Sequence, residues 1–124
     1  MKSPHTGLSR IWHAFGYSWK GVKASWQHEA AFRQELNVCL ILVPVAFWLG
    51  QTVWEVTALI AVLLLVLIVE LLNSAIESVV DRVGEEFHEL SGRAKDQGSA
   101  AVLLTVLIAV LVWGAVIYNR WVGG

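Results

Sequence analysis

Residues 53–83 read VWEVTALIAVLLLVLIVELLNSAIESVVDRV. Their first half decides the fold. Residues 56–69 (VTALIAVLLLVLIV) carry no charge. A helix that crosses a bilayer needs about 20 mostly apolar residues at about 1.5 Å rise each. This block reaches that length only with its partly polar neighbours, so 53–83 reads as one long helix whose second half turns polar. Outward along the chain, residues 100–118 (AAVLLTVLIAVLVWGAVIY) are also uncharged and span unaided, whereas 36–49 (LNVCLILVPVAFWL) must borrow neighbours as 56–69 does. The composition agrees: 56% of the 124 residues are apolar and 15% charged, against about 45–50% and about 25% in soluble domains.

The expected architecture is all-α and membrane-embedded: an amphipathic surface helix at 8–28, spans at 29–50, 53–83 and 98–120, and a hydrophilic link at 84–97. Residues 1–6 hold Pro4 and little else and are expected to be disordered. Over 8–28, Ile11, Phe15, Trp19, Val22 and Trp26 recur every three or four positions, while Arg10, His13, Lys20 and Lys23 fall largely elsewhere. That is the pattern of a helix lying in the membrane interface, with Trp in the headgroup belt. Gly16 and Gly21 are expected to interrupt or bend it, and Pro44 to kink the first span. No signal-peptide apolar region opens the chain, and the lone Cys39 allows no disulfide within it. A net charge of -1 gives no basic surface for nucleic acid. Lys2, Arg10, Lys20, Lys23 and Arg33 open or precede the first span, and Arg82, Arg93 and Lys95 separate the second from the third. Only Arg120 lies on the other side. Positive residues stay cytoplasmic, which puts the N-terminus and the link inside and the 50–55 turn and the C-terminus outside.

Beyond Val69 the long helix carries Glu70, Asn73, Glu77 and Asp81 at spacings of 3, 4 and 4. At about 100° per residue these fall within roughly 80° of one another. They form a single polar stripe, with Ser74 at its edge. Intramembrane carboxylates are costly and face a bundle interior or a wet cavity. Carboxylate and amide oxygens are hard ligands suited to Mg²⁺, and a carboxylate at the hydrocarbon boundary can act as a general base. The stripe fits phosphoryl transfer from nucleotide to lipid, a proton or cation path, or a structural seam paired with Arg82 or Lys95. Spacing alone leaves all three open. Glu29 and Glu35 bracket Arg33, and Glu29–Arg33 has the spacing of a helix salt bridge. No GxxxxGK[ST] or GxGxxG phosphate loop is present, so ATP binding follows from no motif, and His88 alone reads as a loop residue.

The strings ELLNSAIESVVDR (70–82) and HELSGRAKDQGSAAV (88–102), with GYSWKGVKASWQHEAAFRQE (16–35), closely resemble the bacterial diacylglycerol kinase family. The resemblance runs from about Gly7 to the last helix. It implies a homotrimeric integral-membrane kinase of the inner membrane, acting on diacylglycerol with Mg-ATP and forming phosphatidic acid. By matching position it implies Glu70 as the proton acceptor, supported by Asn73. Glu77 and Glu29 would hold metal and ATP. Lys95 and Asp96 would handle nucleotide, with Glu86, His88, Arg10 and Tyr17 placed against ATP. Trp19, Lys23, Arg33, Glu35, Trp48, Ser99 and Trp113, with Glu70, would line the lipid site. Departures from the family pattern fall at Trp12, His13 and Pro44 and bear on lipid contacts only. A related branch phosphorylates undecaprenol, and NSAIE with RAKDQGSAA favours the diacylglycerol branch. A non-enzymatic channel or assembly protein is the alternative of a different class. Three helices enclose a site poorly against lipid. Composite sites between protomers are therefore expected, within the trimer that the resemblance implies, and Gly98, Ser99, Ala100 and Ala101 permit close approach of the third helix.

Overall fold

The computed structural model describes residues 6–84 and 88–123. The expectations for the first five residues and for Glu86 lie outside them. Apart from short connections the chain is helical over this range: α1 (Gly7–His28), α2 (Ala30–Leu49), α3 (Val53–Val83), α4 (Glu89–Tyr118), and a short π-helical end at Asn119–Gly123. Among the described residues, three helical stretches are long and apolar enough to cross a membrane. They are Ala30–Leu49, Val53–Val83 and Glu89–Gly123.

Two expectations are corrected. The helix α1 runs unbroken through Gly16 and Gly21. Each glycine costs about 1 kcal/mol relative to Ala, too little to open a helix of 22 residues. The second correction is the start of α4, which begins at Glu89, well inside the expected link. The signal is a cap rather than apolar periodicity. The Leu90 N–H donates to His88 Nδ1 at 3.1 Å, satisfying one of the amides that a helix start leaves free. His88 is therefore a cap, and the polar residues that follow it form the aqueous end of a long helix. The α2 helix continues through Pro44.

The central element is α3. It packs against α4 most extensively, then α2, and touches α1. The α2–α3 turn is sharply specified. A Cβ at Gly50 would stand 2.6 Å from Val56 Cγ2 and 3.2 Å from the Ala46 carbonyl oxygen, so only glycine fits. Thr52 then caps α3 by accepting from the Glu55 N–H at 3.1 Å, while Glu55 accepts from the Gln51 N–H at 2.8 Å, a reciprocal start of the capping-box kind. Glu55 also accepts from Asn119 Nδ2 at 3.0 Å, and Arg120 donates to the Leu49 carbonyl at 3.3 Å. These bonds tie the end of the chain to the turn. Beside them lies a small buried cluster of Ala46, Leu49, Leu59 and Val116.

Elsewhere apolar side chains face outward. Leu40, Leu103 and Leu111 are each more than half exposed. In water such a surface would drive aggregation. In a bilayer it faces hydrocarbon or neighbouring helices, with backbone polar groups satisfied inside each helix.

Candidate active site

The polar stripe of α3 turns inward. Glu70 is 4% exposed, Asn73 9% and Ser74 5%, whereas Glu77 is half-buried and Asp81 exposed. The helix thus carries its polar groups from the buried middle of the protein out to its aqueous end. What surrounds Glu70 comes from α2, from α3 itself and from the residue between α1 and α2. Glu35 of α2 brings its carboxyl group to hydrogen-bonding range of Glu70, and Glu29 and Glu77 stand within electrostatic range of it. Acidic groups so close repel when ionised and need a proton, a cation or a donor between them. The sequence marked all four carboxylates. It did not show that Glu35 faces Glu70 directly, because the two are separated by a helix turnaround that periodicity does not resolve.

Several groups around this centre have no hydrogen-bond partner: one Glu35 carboxyl oxygen, Asn73 Oδ1, Ser74 Oγ and Trp113 Nε1. Unpaired buried polar atoms are costly, and in a native protein each calls for an explanation. Here all four lie at or beside the acidic centre or the cavity that adjoins it. Asn73 is held from the other side by α4. A Cβ at Gly98 would overlap Asn73 Oδ1 and stand 3.3 Å from its Cγ. Small residues at the start of the third span were expected to permit this approach, and Gly98 is the position that needs it.

Two concavities flank the site. One, of about 460 Å³, lies among α2, α3 and α4 and is lined mainly by apolar side chains, with Gln34, Glu35, Cys39 and Trp113 among them. The other, of about 510 Å³, lies between α1 and α3 and is lined by Ser18, Ser25, His28, Glu29, Ser74 and Ser78 together with small apolar residues. Glu35 therefore opens toward an apolar space and Glu29 toward a hydroxyl-rich one. Ser25, 8% exposed, was not anticipated. Nothing in the sequence separates it from the other serines of α1, since its burial depends on the angle between α1 and α3.

Other expected site residues are dispersed. Lys95 bonds Asp81, with Nζ 2.7 Å from a carboxylate oxygen, so the outer end of the stripe does pair as a seam would. Arg33 does not pair with Glu29. Its Nη1 donates instead to the carbonyls of Trp26 at 2.7 Å and Gln27 at 3.4 Å. Arg10, Tyr17, Trp19 and Lys23 are exposed along α1, Asp96 and Ser99 are exposed on α4, and His88 is exposed at its N-terminus. Lys20 lies 5.9 Å from the Tyr17 ring centroid. Trp48 is at the opposite end of α2 from Glu29, beneath the Arg120 guanidinium at 5.0 Å and 6.0 Å from the Trp121 ring. The structure does not bring it to Glu70.

Among the described residues, no group of three or more His, Cys, Asp or Glu side chains is placed to hold a metal ion. Mg²⁺ that accompanies a nucleotide needs fewer, because it is commonly held by one or two carboxylates with phosphates and water completing the shell. Glu29 and Glu77 supply donors of the right hardness for that arrangement.

Fold and site together define a class: a small three-span membrane protein whose carboxylates, with Glu70 buried at their centre, gather where a spanning helix turns from apolar to polar. Comparison with known proteins narrows the class. Residues 16–117 match the family described as prokaryotic diacylglycerol kinase. The chain is 52% identical over 121 residues to the diacylglycerol kinase of Escherichia coli strain K12, covering 98% of this chain and 99% of that one. It is 49% identical over 113 residues to the diacylglycerol kinase of Haemophilus influenzae, covering 91% and 96%. It is 50% identical over 112 residues to that of Pseudomonas aeruginosa, covering 90% and 91%. The chain belongs to the prokaryotic diacylglycerol kinase family.

Proposed function

We propose that the protein is a diacylglycerol kinase that transfers the γ-phosphate of Mg-ATP to the free hydroxyl of diacylglycerol, giving phosphatidic acid and ADP. Family membership supports the reaction class. The observation that carries the chemistry is the burial of Glu70 beside Asn73, with an apolar space on one side and a hydroxyl-rich groove on the other. Such a carboxylate can take the proton of a lipid hydroxyl held at the boundary. The hydroxyl oxygen forms its bond to the γ-phosphorus, and the bond from that phosphorus to the bridging oxygen breaks, leaving ADP. Positioning and charge neutralisation supply most of the catalysis in reactions of this type.

Glu29 and Glu77 are the side chains proposed to hold Mg²⁺, which neutralises phosphate charge when bound. Lys95, freed from Asp81 or shared with it, is proposed to meet phosphate at the outer end of the stripe, together with Asp96, His88, Arg10 and Tyr17. Glu86 belongs to this group by resemblance alone. Trp19, Lys23, Glu35, Ser99 and Trp113 are proposed to line the lipid site, and Arg33 and Trp48 match lipid-site positions by resemblance. The working unit is proposed to be a homotrimer in the bacterial inner membrane, with the N-terminus and the α3–α4 link in the cytoplasm. Undecaprenol kinase is the runner-up, a second substrate choice for the same machinery.

The test offers purified protein radiolabelled ATP with diacylglycerol and undecaprenol side by side. Label in phosphatidic acid is expected. Preference for undecaprenol moves the protein to the other branch, and no labelled lipid from either defeats the kinase reading.

A further inference from the structure

The helices α1 and α2 meet at one residue, and it is a proposed metal ligand. Glu29 is at once the C-cap of α1 and the N-cap of α2, in an extended conformation with φ -120° and ψ 108°. Its N–H donates to the Ser25 carbonyl at 2.9 Å, and its carbonyl accepts from the Arg33 N–H at 3.2 Å. An elbow this short leaves the last carbonyls of α1 without helical partners. The Arg33 side chain supplies one. From the first turn of α2 it reaches back across the elbow, and Nη1 donates to the Trp26 and Gln27 carbonyls. A cation at a helix C-terminus also meets the negative end of the helix dipole. A single side chain rooted in α2 therefore closes the end of α1. It also leaves Glu29 without its sequence-adjacent cation, so the Glu29 carboxylate remains available to the groove it lines with Ser25, His28 and Ser74.

We infer that Arg33 is a positioning residue. It locks the α1–α2 elbow, and the locked elbow holds the Glu29 carboxylate toward Glu70 and Glu77. The inference rests on the proposed role of Glu29 in Mg-ATP use. It gives Arg33 a task apart from contact with the lipid substrate: a guanidinium spent on two main-chain carbonyls sets the angle of a helix. The apolar anchor of the same elbow is Phe32, 2% exposed, which fixes the adjacent turn of α2. Arg33 then decides where α1 leaves it.

The test compares the full-length parent with Arg33→Gln, Arg33→Lys and Glu29→Gln in mixed micelles. Steady-state kinetics and amide hydrogen exchange across residues 25–33 are both read. For Arg33→Gln the elbow amides should exchange faster, and KM for Mg-ATP should rise about tenfold, the scale of one charge-assisted hydrogen bond. KM for diacylglycerol should change less than KM for Mg-ATP. Arg33→Lys keeps the charge near the helix end and should restore part of both effects. Parent-like exchange in Arg33→Gln overturns the inference, as does a rise confined to KM for diacylglycerol, which makes Arg33 a lipid contact. If Glu29→Gln raises KM for Mg-ATP while Arg33→Gln loosens the elbow without doing so, the positioning role is wrong and the Glu29 role stands. If neither variant alters Mg-ATP use, the Glu29 role has failed and the inference falls with it.

Discussion

At the scale of single residues, the site depends on carboxylates whose surroundings differ. Glu70 is buried and crowded by acids, Glu77 is half-buried, and Asp81 is exposed and bonded to Lys95. Replacement by glutamine keeps shape and removes ionisation. Glu70→Gln should insert and assemble as the parent does, yet lose roughly 10²–10⁴-fold in kcat, the range expected when a general base is removed. Phosphate transfer to diacylglycerol in mixed micelles, with assembly read by cross-linking, checks both halves. Glu77→Gln acts nearer the phosphates and should weaken the dependence on Mg²⁺ and ATP while leaving lipid affinity in place. A titration of activity against Mg²⁺ at fixed ATP separates the two variants, and identical Mg²⁺ curves for Glu77→Gln and parent would remove Glu77 from the metal site.

At the scale of elements, the α3–α4 contact sets the environment of Asn73. Gly98 is buried, and a methyl group there would collide with Asn73 Oδ1 while meeting Ile76 Cδ1 only at an ordinary 3.7 Å. Gly98→Ala should therefore destabilise the protein by about 1–3 kcal/mol, the usual cost of overpacking. The Asn73→Ala background should relieve most of that, because the colliding atoms are gone. Thermal unfolding of the four proteins of this cycle reads the coupling directly. An equal loss in both backgrounds would show that Gly98 serves general helix packing and not Asn73. The elements themselves were largely legible. Uncharged blocks gave the spans, and spacings of 3, 4 and 4 put Glu70, Asn73, Glu77 and Asp81 on one face. The extension of α4 back to Glu89 was not legible in a polar, Gly-containing stretch, because its start depends on the His88 ring acting as a cap. The reach of Arg33 over the elbow was hidden for a similar reason. A salt-bridge spacing to Glu29 is visible in sequence, while main-chain carbonyls are not.

At the scale of the whole molecule, one chain exposes long apolar faces on α2, α3 and α4 and leaves its acidic centre open to two concavities. The proposed trimer would cover such faces, and it raises the question of which chain supplies each carboxylate. Composite sites were expected from the sequence, and Glu29, at an interfacial elbow, with Glu70, on a central helix, is the pair that different protomers would supply. Within a single chain, however, Glu29 already stands in electrostatic range of Glu70. Mixing Glu29→Gln chains, impaired in Mg-ATP use, with inactive Glu70→Gln chains at low Mg-ATP separates the two arrangements. Sites shared between protomers recover a fraction of parent activity in mixed trimers. Sites built within one chain recover none, since each chain carries its own defect. Sequence reached this question without settling it, because helix faces are periodic but the register between helices is set by contacts such as Gly98 against Asn73.

The central claim is that this three-span membrane protein moves phosphate from nucleotide to lipid. Purified parent and Glu70→Gln proteins, incubated with γ-labelled ATP and diacylglycerol in mixed micelles, test it most directly. The account predicts labelled phosphatidic acid from the parent and almost none from the correctly assembled variant. Equal labelling by both, or no labelled lipid from the parent, would contradict it.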